Sequence, residues 1–153
     1  MFKKKVGMAA VAGVLLLAAS ASTLAAQDAS RPAHEGPSVS TPADQIKFVN
    51  TGIKTDKGEL PAYGNLQKGR HGTFLRMPAG FVSPAHTHTE DYYAVVIKGV
   101  GANRPPGANA VPLPVGSYWF QTGEEAHVTE CLSKTECLFF LVQPGKFDFA
   151  PAK

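Results

Sequence analysis

From Gln45 onward the chain consists of short apolar runs separated by turn residues, and this pattern limits its fold more than any other feature. Six candidate strands cover residues 46–50, 72–77, 86–97, 117–121, 127–132 and 137–143. The segments between them contain Gly, Pro, Asp and Ser, which favour turns. No long segment has the 3.6-residue period of an amphipathic helix. The chain is therefore predicted to form an all-β domain, either a sandwich or a barrel.

The longest predicted strand, residues 86–97, places two histidines on one face. His86, His88, Glu90 and Tyr92 occupy alternate positions, and alternate side chains of a strand project to the same side. Two imidazoles in this arrangement can bind one metal ion, and His127 is the candidate for a third ligand. Inside an apolar barrel an unpartnered imidazole is costly, and a shared metal ion would remove that cost.

Residues 80–99 resemble the first sequence motif of the cupin superfamily, in which a glycine and five residues precede His-x-His, an acid and a closing glycine. Gly80, His86, His88 and Gly99 fall in register with that motif. The chain is similar in particular to a branch of small, single-domain bacterial cupins of uncharacterised function. The resemblance covers residues 58–150 and implies a cupin-type double-stranded β-helix, a jelly-roll barrel that gathers the histidines inside.

The second cupin motif resembles the segment from Gly116 to His127, with the same spacing between its glycine and its histidine. The usual glutamate ligand of cupins falls at the position of Tyr92, and Glu90 lies one strand repeat earlier. Both remain candidates for a fourth ligand and for a catalytic role, Glu90 as a general base and Tyr92 as a hydrogen-bond donor. Imidazoles with at most one oxygen donor suit Fe, Mn, Ni, Cu or Zn better than Mg or Ca.

The first part of the chain has the composition of a secretory signal peptide, predicted to cover residues 1–25. Basic residues 3–5 precede an uncharged run, residues 6–19, that is shorter than the ~20 residues of a membrane-spanning helix. Residues 26–44 are rich in Pro, Ser, Ala and Gly and are predicted to be a flexible linker. A barrel domain is expected over residues 45–150, in a periplasmic or secreted protein.

The balance of charges in the sequence argues against nucleic acid as a partner. The chain has a net charge of +3, with 15 Lys and Arg against 12 Asp and Glu, and three of the lysines belong to the predicted signal peptide. Without those three, 12 basic residues face 12 acidic ones, so no basic stripe for nucleic acid is expected. No membrane association is expected after signal cleavage. A small-molecule ligand is the predicted partner, and a homodimer is plausible by analogy with cupins.

The two cysteines, Cys131 and Cys137, flank a predicted turn between antiparallel strands. An oxidising compartment favours a disulfide between them. With no second pair of cysteines, the sequence lacks the pattern of a cysteine-ligated zinc site.

Two functions follow from the proposed metal site. The first is a metal-dependent enzyme, since the cupin resemblance implies dioxygenases, isomerases and lyases. The second is a non-catalytic binding or sensor protein for a metal or small metabolite. A structural cupin without metal is a third, weaker alternative. Aromatic residues expected to line the cavity or fill the core are Phe74, Phe81, Tyr118, Trp119 and Phe120.

Overall fold

The structure is a computed structural model that describes residues 38–55, 58–67 and 69–152. The predicted signal peptide and residues 26–37 of the predicted linker lie outside the described residues. Ser40–Lys153 forms one compact unit. A 3-10 turn at Ala43–Gln45 precedes its strands. The strands are β1 (Val49–Thr55), β2 (Gly58–Tyr63), β3 (His71–Met77), β4 (His86–Thr87), β5 (Tyr92–Lys98), β6 (Gly101–Arg104), β7 (Tyr118–Gln121), β8 (Val128–Cys131), β9 (Cys137–Gln143) and β10 (Ala150–Pro151). In the described part of the chain, no helix is long and apolar enough to cross a membrane.

Six strands form one antiparallel sheet in the order β1-β2-β3-β9-β5-β7. Side chains of β3, β5 and β9 alternate between buried and more accessible positions. This is the period-two pattern of a sheet with one face on a core.

The remaining four strands form the opposite layer. Strand β10 pairs with β4, and β6 pairs with β8. Isolated bridges from Val82 to Glu130 and from His86 to His127 join the two pairs. The buried core between the layers includes Phe81, Val96 and Phe139. The predicted all-β, double-stranded β-helix barrel is confirmed.

The long predicted strand at residues 86–97 is wrong in one respect, because the chain bends between β4 and β5. The bend is fixed from several directions. The Glu124 amide donates to the His88 carbonyl, Gln143 Nε2 donates to the Glu90 carbonyl, and the Gly123 amide donates to the Asp91 carboxylate. The segment therefore crosses from one layer to the other, and within it Glu90 is only half-buried between the buried His88 and Tyr92.

Four further strands were missed or misplaced from the sequence. The strand predicted at residues 46–50 shares only residues 49 and 50 with β1, and β2 had no predicted counterpart. No strand was predicted in the Pro-rich connection at residues 99–114, yet this connection contains β6. Arg104 ends β6 in an ion pair with Glu130 of β8. Near the C-terminus, β10 was not anticipated because it is only two residues long.

The predicted disulfide is confirmed. Cys131 at the end of β8 and Cys137 at the start of β9 are bonded, with 5.7 Å between their α-carbons. Gly99 lies against this bond with φ +82°, and a β-carbon added there would come within 2.8 Å of Cys137 Sγ. Two features therefore favour glycine at this position of the first motif. One is the positive φ of its backbone, and the other is the close packing of the disulfide against its α-carbon.

Gly99→Ala should destabilise the protein more than Gly107→Ala. Both glycines have nearly the same positive φ, but an added β-carbon at Gly107 meets no atom within 4 Å. We expect roughly 1–2 kcal/mol from the backbone conformation at both positions and about 1–3 kcal/mol more from crowding at Gly99. Urea denaturation of the two variants measures the difference, and equal losses would contradict the assigned packing role.

Candidate metal centre

Three histidines from different parts of the chain converge at one end of the barrel. Their ligand nitrogens all lie within 4.8 Å of one another, and His86, His88 and His127 are each less than 5% exposed. The ring centroids are 4.2 Å apart for His86 and His127, 4.9 Å for His86 and His88, and 5.2 Å for His88 and His127. This spacing suits three ligands of one ion.

The backbone brings two of these rings together directly. His86 and His127 form an antiparallel bridge in which each amide donates to the other's carbonyl, at 3.0 and 2.9 Å. His88 follows β4 by one residue and so faces the same side as His86. His86 and His88 thus share a site with His127, about forty positions away, because β4 lies beside the segment that leads into β8.

Each imidazole is held by a backbone carbonyl. Nδ1 of His86 donates to the Pro84 carbonyl at 2.8 Å, Nδ1 of His127 donates to the Glu125 carbonyl at 3.0 Å, and Nδ1 of His88 donates to the Asp148 carbonyl. A carbonyl only accepts, so these contacts place the proton of each neutral ring on Nδ1. The Nε2 atoms are therefore the positions that would bind an ion, and the Nε2 of His127 accepts a hydrogen bond from the Tyr92 hydroxyl. Metal-binding histidines are commonly oriented by such partners.

Burial also favours the neutral rings. It lowers the pKa of His86 to about 4, against the opposing hydrogen bond to Pro84. Burial likewise lowers the pKa values of His88 and His127. Near pH 7 all three rings are therefore neutral, as metal ligation requires.

Tyr92 lies beside the cluster. Trp119 Nε1 donates to the Tyr92 hydroxyl at 3.2 Å, and that hydroxyl donates to His127 Nε2 at 3.3 Å. Burial raises the pKa of Tyr92 to about 12, despite the hydrogen bond from Trp119. The position that holds glutamate in the resembling motif thus carries a neutral phenol that points at the proposed ion site.

Glu90 is not brought together with the histidines. It lies in the bend between β4 and β5, and its side chain packs over the α-carbon of Gly145. The ligand cluster found among the described residues contains the three histidines alone. The predicted inward direction of Glu90 assumed an unbroken strand, and the bend removes that assumption.

A cavity of about 100 Å³ opens beside His86, His88 and Tyr92. Of the aromatic residues expected there, Phe81 and Trp119 line it. The other three do not: Phe74 lies on the outer face of the large sheet against Phe140, and Tyr118 and Phe120 are exposed on β7. Side chains alternate along β7, so Trp119 and Gln121 are buried while Tyr118 and Phe120 point away from the core.

The C-terminal segment, residues 144–152, was missed as part of the site. Phe149 stacks on His86 with ring centroids 4.4 Å apart, and Phe147 packs against His88 at 4.8 Å. Between them, the Asp148 carboxylate accepts hydrogen bonds from the amide and hydroxyl of Thr89. The Phe-Asp-Phe alternation, with two apolar residues on one side of an extended segment, was the available signal in the sequence.

Residues 44–153 match a family described as Domain of unknown function (DUF4437). The chain belongs to the DUF4437 family. Comparison with curated proteins finds no match to this DUF4437 chain.

Solved structures show that the DUF4437 domain has the cupin fold. The polyketide cyclase RemF from Streptomyces resistomycificus is 13% identical with a TM-score of 0.63, over 76% of this chain and 87% of that chain. An RmlC-like cupin protein from Ralstonia eutropha is 15% identical with a TM-score of 0.57, over 74% and 72%. A predicted oxalate decarboxylase from Thermotoga maritima is 22% identical with a TM-score of 0.56, over 70% and 99%.

The metal-free DUF4437 protein should lose stability below pH 6.5. Between about pH 6.5 and 4 the unfolded chain binds a proton at His86 that the native protein does not bind, so unfolding is favoured as pH falls. A pKa lowered from 6.5 to about 4 corresponds to roughly 3 kcal/mol over the whole window. His88 and His127 act in the same direction. Urea denaturation at pH 7 and pH 4.5 measures the loss. A His86→Gln variant should show a smaller pH dependence, and an unchanged dependence would contradict the assignment.

Proposed function

We propose that this DUF4437 cupin binds one first-row transition metal ion through His86, His88 and His127 and acts on a small organic molecule in the adjoining cavity. The observation that carries the proposal is the direction of the rings. All three Nδ1 atoms donate to backbone carbonyls, so three Nε2 lone pairs converge in a buried site. The donor set favours Fe, Mn, Ni, Cu or Zn, because three imidazoles do not suit Mg or Ca.

The residues around the site have separate roles in this proposal. A bound transition metal would supply Lewis acidity toward a substrate oxygen. Phe147 and Phe149 cover the histidines and exclude water from them. Tyr92, held by Trp119, would place a hydroxyl proton beside the same position. Burial keeps that phenol protonated near pH 7, which suits a hydrogen-bond donor.

Non-catalytic binding of a small molecule is the second candidate, and the lining of the cavity supports it. No Asp or Glu lines the cavity among residues 38–55, 58–67 and 69–152. A carboxylate is a common general base, and Glu90 lies outside the cavity. An enzyme that works within this cavity would therefore rely on the metal ion and Tyr92, since Glu125 lines a separate cavity with His127. Two of the similar structures are named as a polyketide cyclase and a predicted oxalate decarboxylase, but one fold supports many chemistries.

We further propose that the protein works in the periplasm or outside the cell. The disulfide between Cys131 and Cys137 supports this location, because such bonds persist mainly in oxidising compartments. Fractionation of cells that produce the full chain tests the location, together with mass determination of the mature N-terminus. Recovery of the uncleaved chain in the cytoplasm would contradict it.

Elemental analysis of the purified protein tests the metal site. We expect about one transition-metal ion per chain and a loss of at least ten-fold in the His86→Ala, His88→Ala double variant, since one ligand is left. His71→Ala is the matched control, because His71 is also buried but hydrogen-bonds to Gln143 and Thr73 away from the cluster. Glu90→Gln should keep its metal. Equal metal content in the double variant and the control would refute the site.

Turnover separates the enzyme from the binding protein. The metal-loaded protein is incubated at low concentration with an extract of small metabolites and followed by untargeted mass spectrometry. Loss of a compound in large molar excess over the protein indicates catalysis, and retention of one compound at about one per chain indicates binding. For an enzyme, Tyr92→Phe should lower turnover while the metal content stays unchanged.

A further inference from the structure

The cavity has a polar end and an apolar body. His86, His88 and Tyr92 form the polar end. The rest of the wall is built largely from apolar side chains of both layers, including Leu60, Leu75, Met77, Phe81, Phe139 and Leu141. In the part of the chain that the structure describes, no Lys, Arg, Asp or Glu lines this cavity. A charged group far from the histidines would therefore be buried without a partner.

The few polar groups along the wall already have partners within the protein. Ser83 Oγ accepts from the Thr129 amide at 2.9 Å, and Thr129 Oγ1 donates to Asn103 Oδ1 at 2.8 Å. Trp119 Nε1 donates to Tyr92. A ligand thus meets open hydrogen-bonding capacity chiefly at the histidine end. A second polar group elsewhere on the ligand would lose its hydrogen bonds to water and gain none.

The volume of the cavity limits the size of a ligand. About 100 Å³ is of the order of the apolar cavity, roughly 150 Å³, that holds one benzene molecule in an engineered protein. This volume admits no more than one ring, and two fused rings exceed the space without displacement of the wall.

We propose that the cavity binds a one-ring organic molecule with a single polar group, which faces His86 and His88 while the ring packs against the apolar wall. This ligand class rests on the proposed function, because the polar group points at the proposed ion site. It excludes sugars, other polyhydroxylated molecules and molecules that are polar at both ends.

Two probes of equal shape test the ligand class. In p-cresol the group opposite the hydroxyl is a methyl group, and in hydroquinone it is a second hydroxyl. Zinc-loaded protein avoids redox reactions with either probe. Binding is followed by calorimetry and by the fluorescence of Trp119, which is the single tryptophan of the chain and lies in the cavity wall. We expect p-cresol to bind at least ten-fold more tightly than hydroquinone, and 2-naphthol to bind at least ten-fold more weakly than p-cresol.

A variant pair locates the binding site. Leu75→Phe adds volume inside the cavity, and Val111→Phe adds the same ring on an exposed loop outside it. The first should weaken p-cresol binding at least ten-fold with zinc content unchanged, and the second should have no effect. If Leu75→Phe does not fold, the three-probe series on the native protein still decides the question. Equal or tighter binding of hydroquinone would overturn the ligand class, as would equal effects of the two variants.

Zinc content measured on the same samples separates this inference from the proposed function. A chain that takes up no zinc overturns the metal site. The preference for p-cresol over hydroquinone, measured on that metal-free protein, then still decides the ligand class, because it depends on the apolar wall.

Discussion

The backbone bridge between His86 and His127 is the contact on which the candidate site depends. Its two hydrogen bonds join the first residue of β4 to the residue just before β8 and so hold two of the three rings near each other. Because the bond is made by main-chain groups, the same pair of strands both builds the second layer of the barrel and positions the ligands. The site is therefore a property of strand pairing more than of side-chain packing.

Three backbone carbonyls then determine the orientation of the imidazole rings. The Pro84 and Glu125 carbonyls lie two residues before their own histidines, so β4 and β8 carry their orienting groups with them. His88 differs, because its partner is the Asp148 carbonyl, sixty residues away on the C-terminal segment. That segment also supplies Phe147 and Phe149. One stretch of chain thus orients a histidine, covers the site and completes the apolar wall, which links the integrity of the proposed metal centre to the docking of the last residues described.

The bend in the backbone after His88 decides which of Tyr92 and Glu90 reaches the histidine site. Both were placed on the histidine face by counting alternate positions along one strand. The bend after His88 turns Glu90 toward Gly145, and β5 begins again at Tyr92 with its side chain buried in the core. A neutral phenol then stands where the cupin resemblance leads one to look for a carboxylate. The proposed chemistry accordingly lacks a carboxylate base in the described cavity and has a hydrogen-bond donor in its place.

Local alternation and turn residues in the sequence determined the all-β class and the disulfide, and the resemblance to the cupin motifs added the barrel and the convergence of His86, His88 and His127. Whether the three histidines hold an ion stays a prediction. Only the tertiary structure decided the direction of Glu90, the outward position of Phe74 and the closure of the site by residues 144–152. Each of these depends on which segments contact each other across the barrel. The hydrogen bonds that hold such contacts join residues tens of positions apart. A local pattern carries no information about those partners.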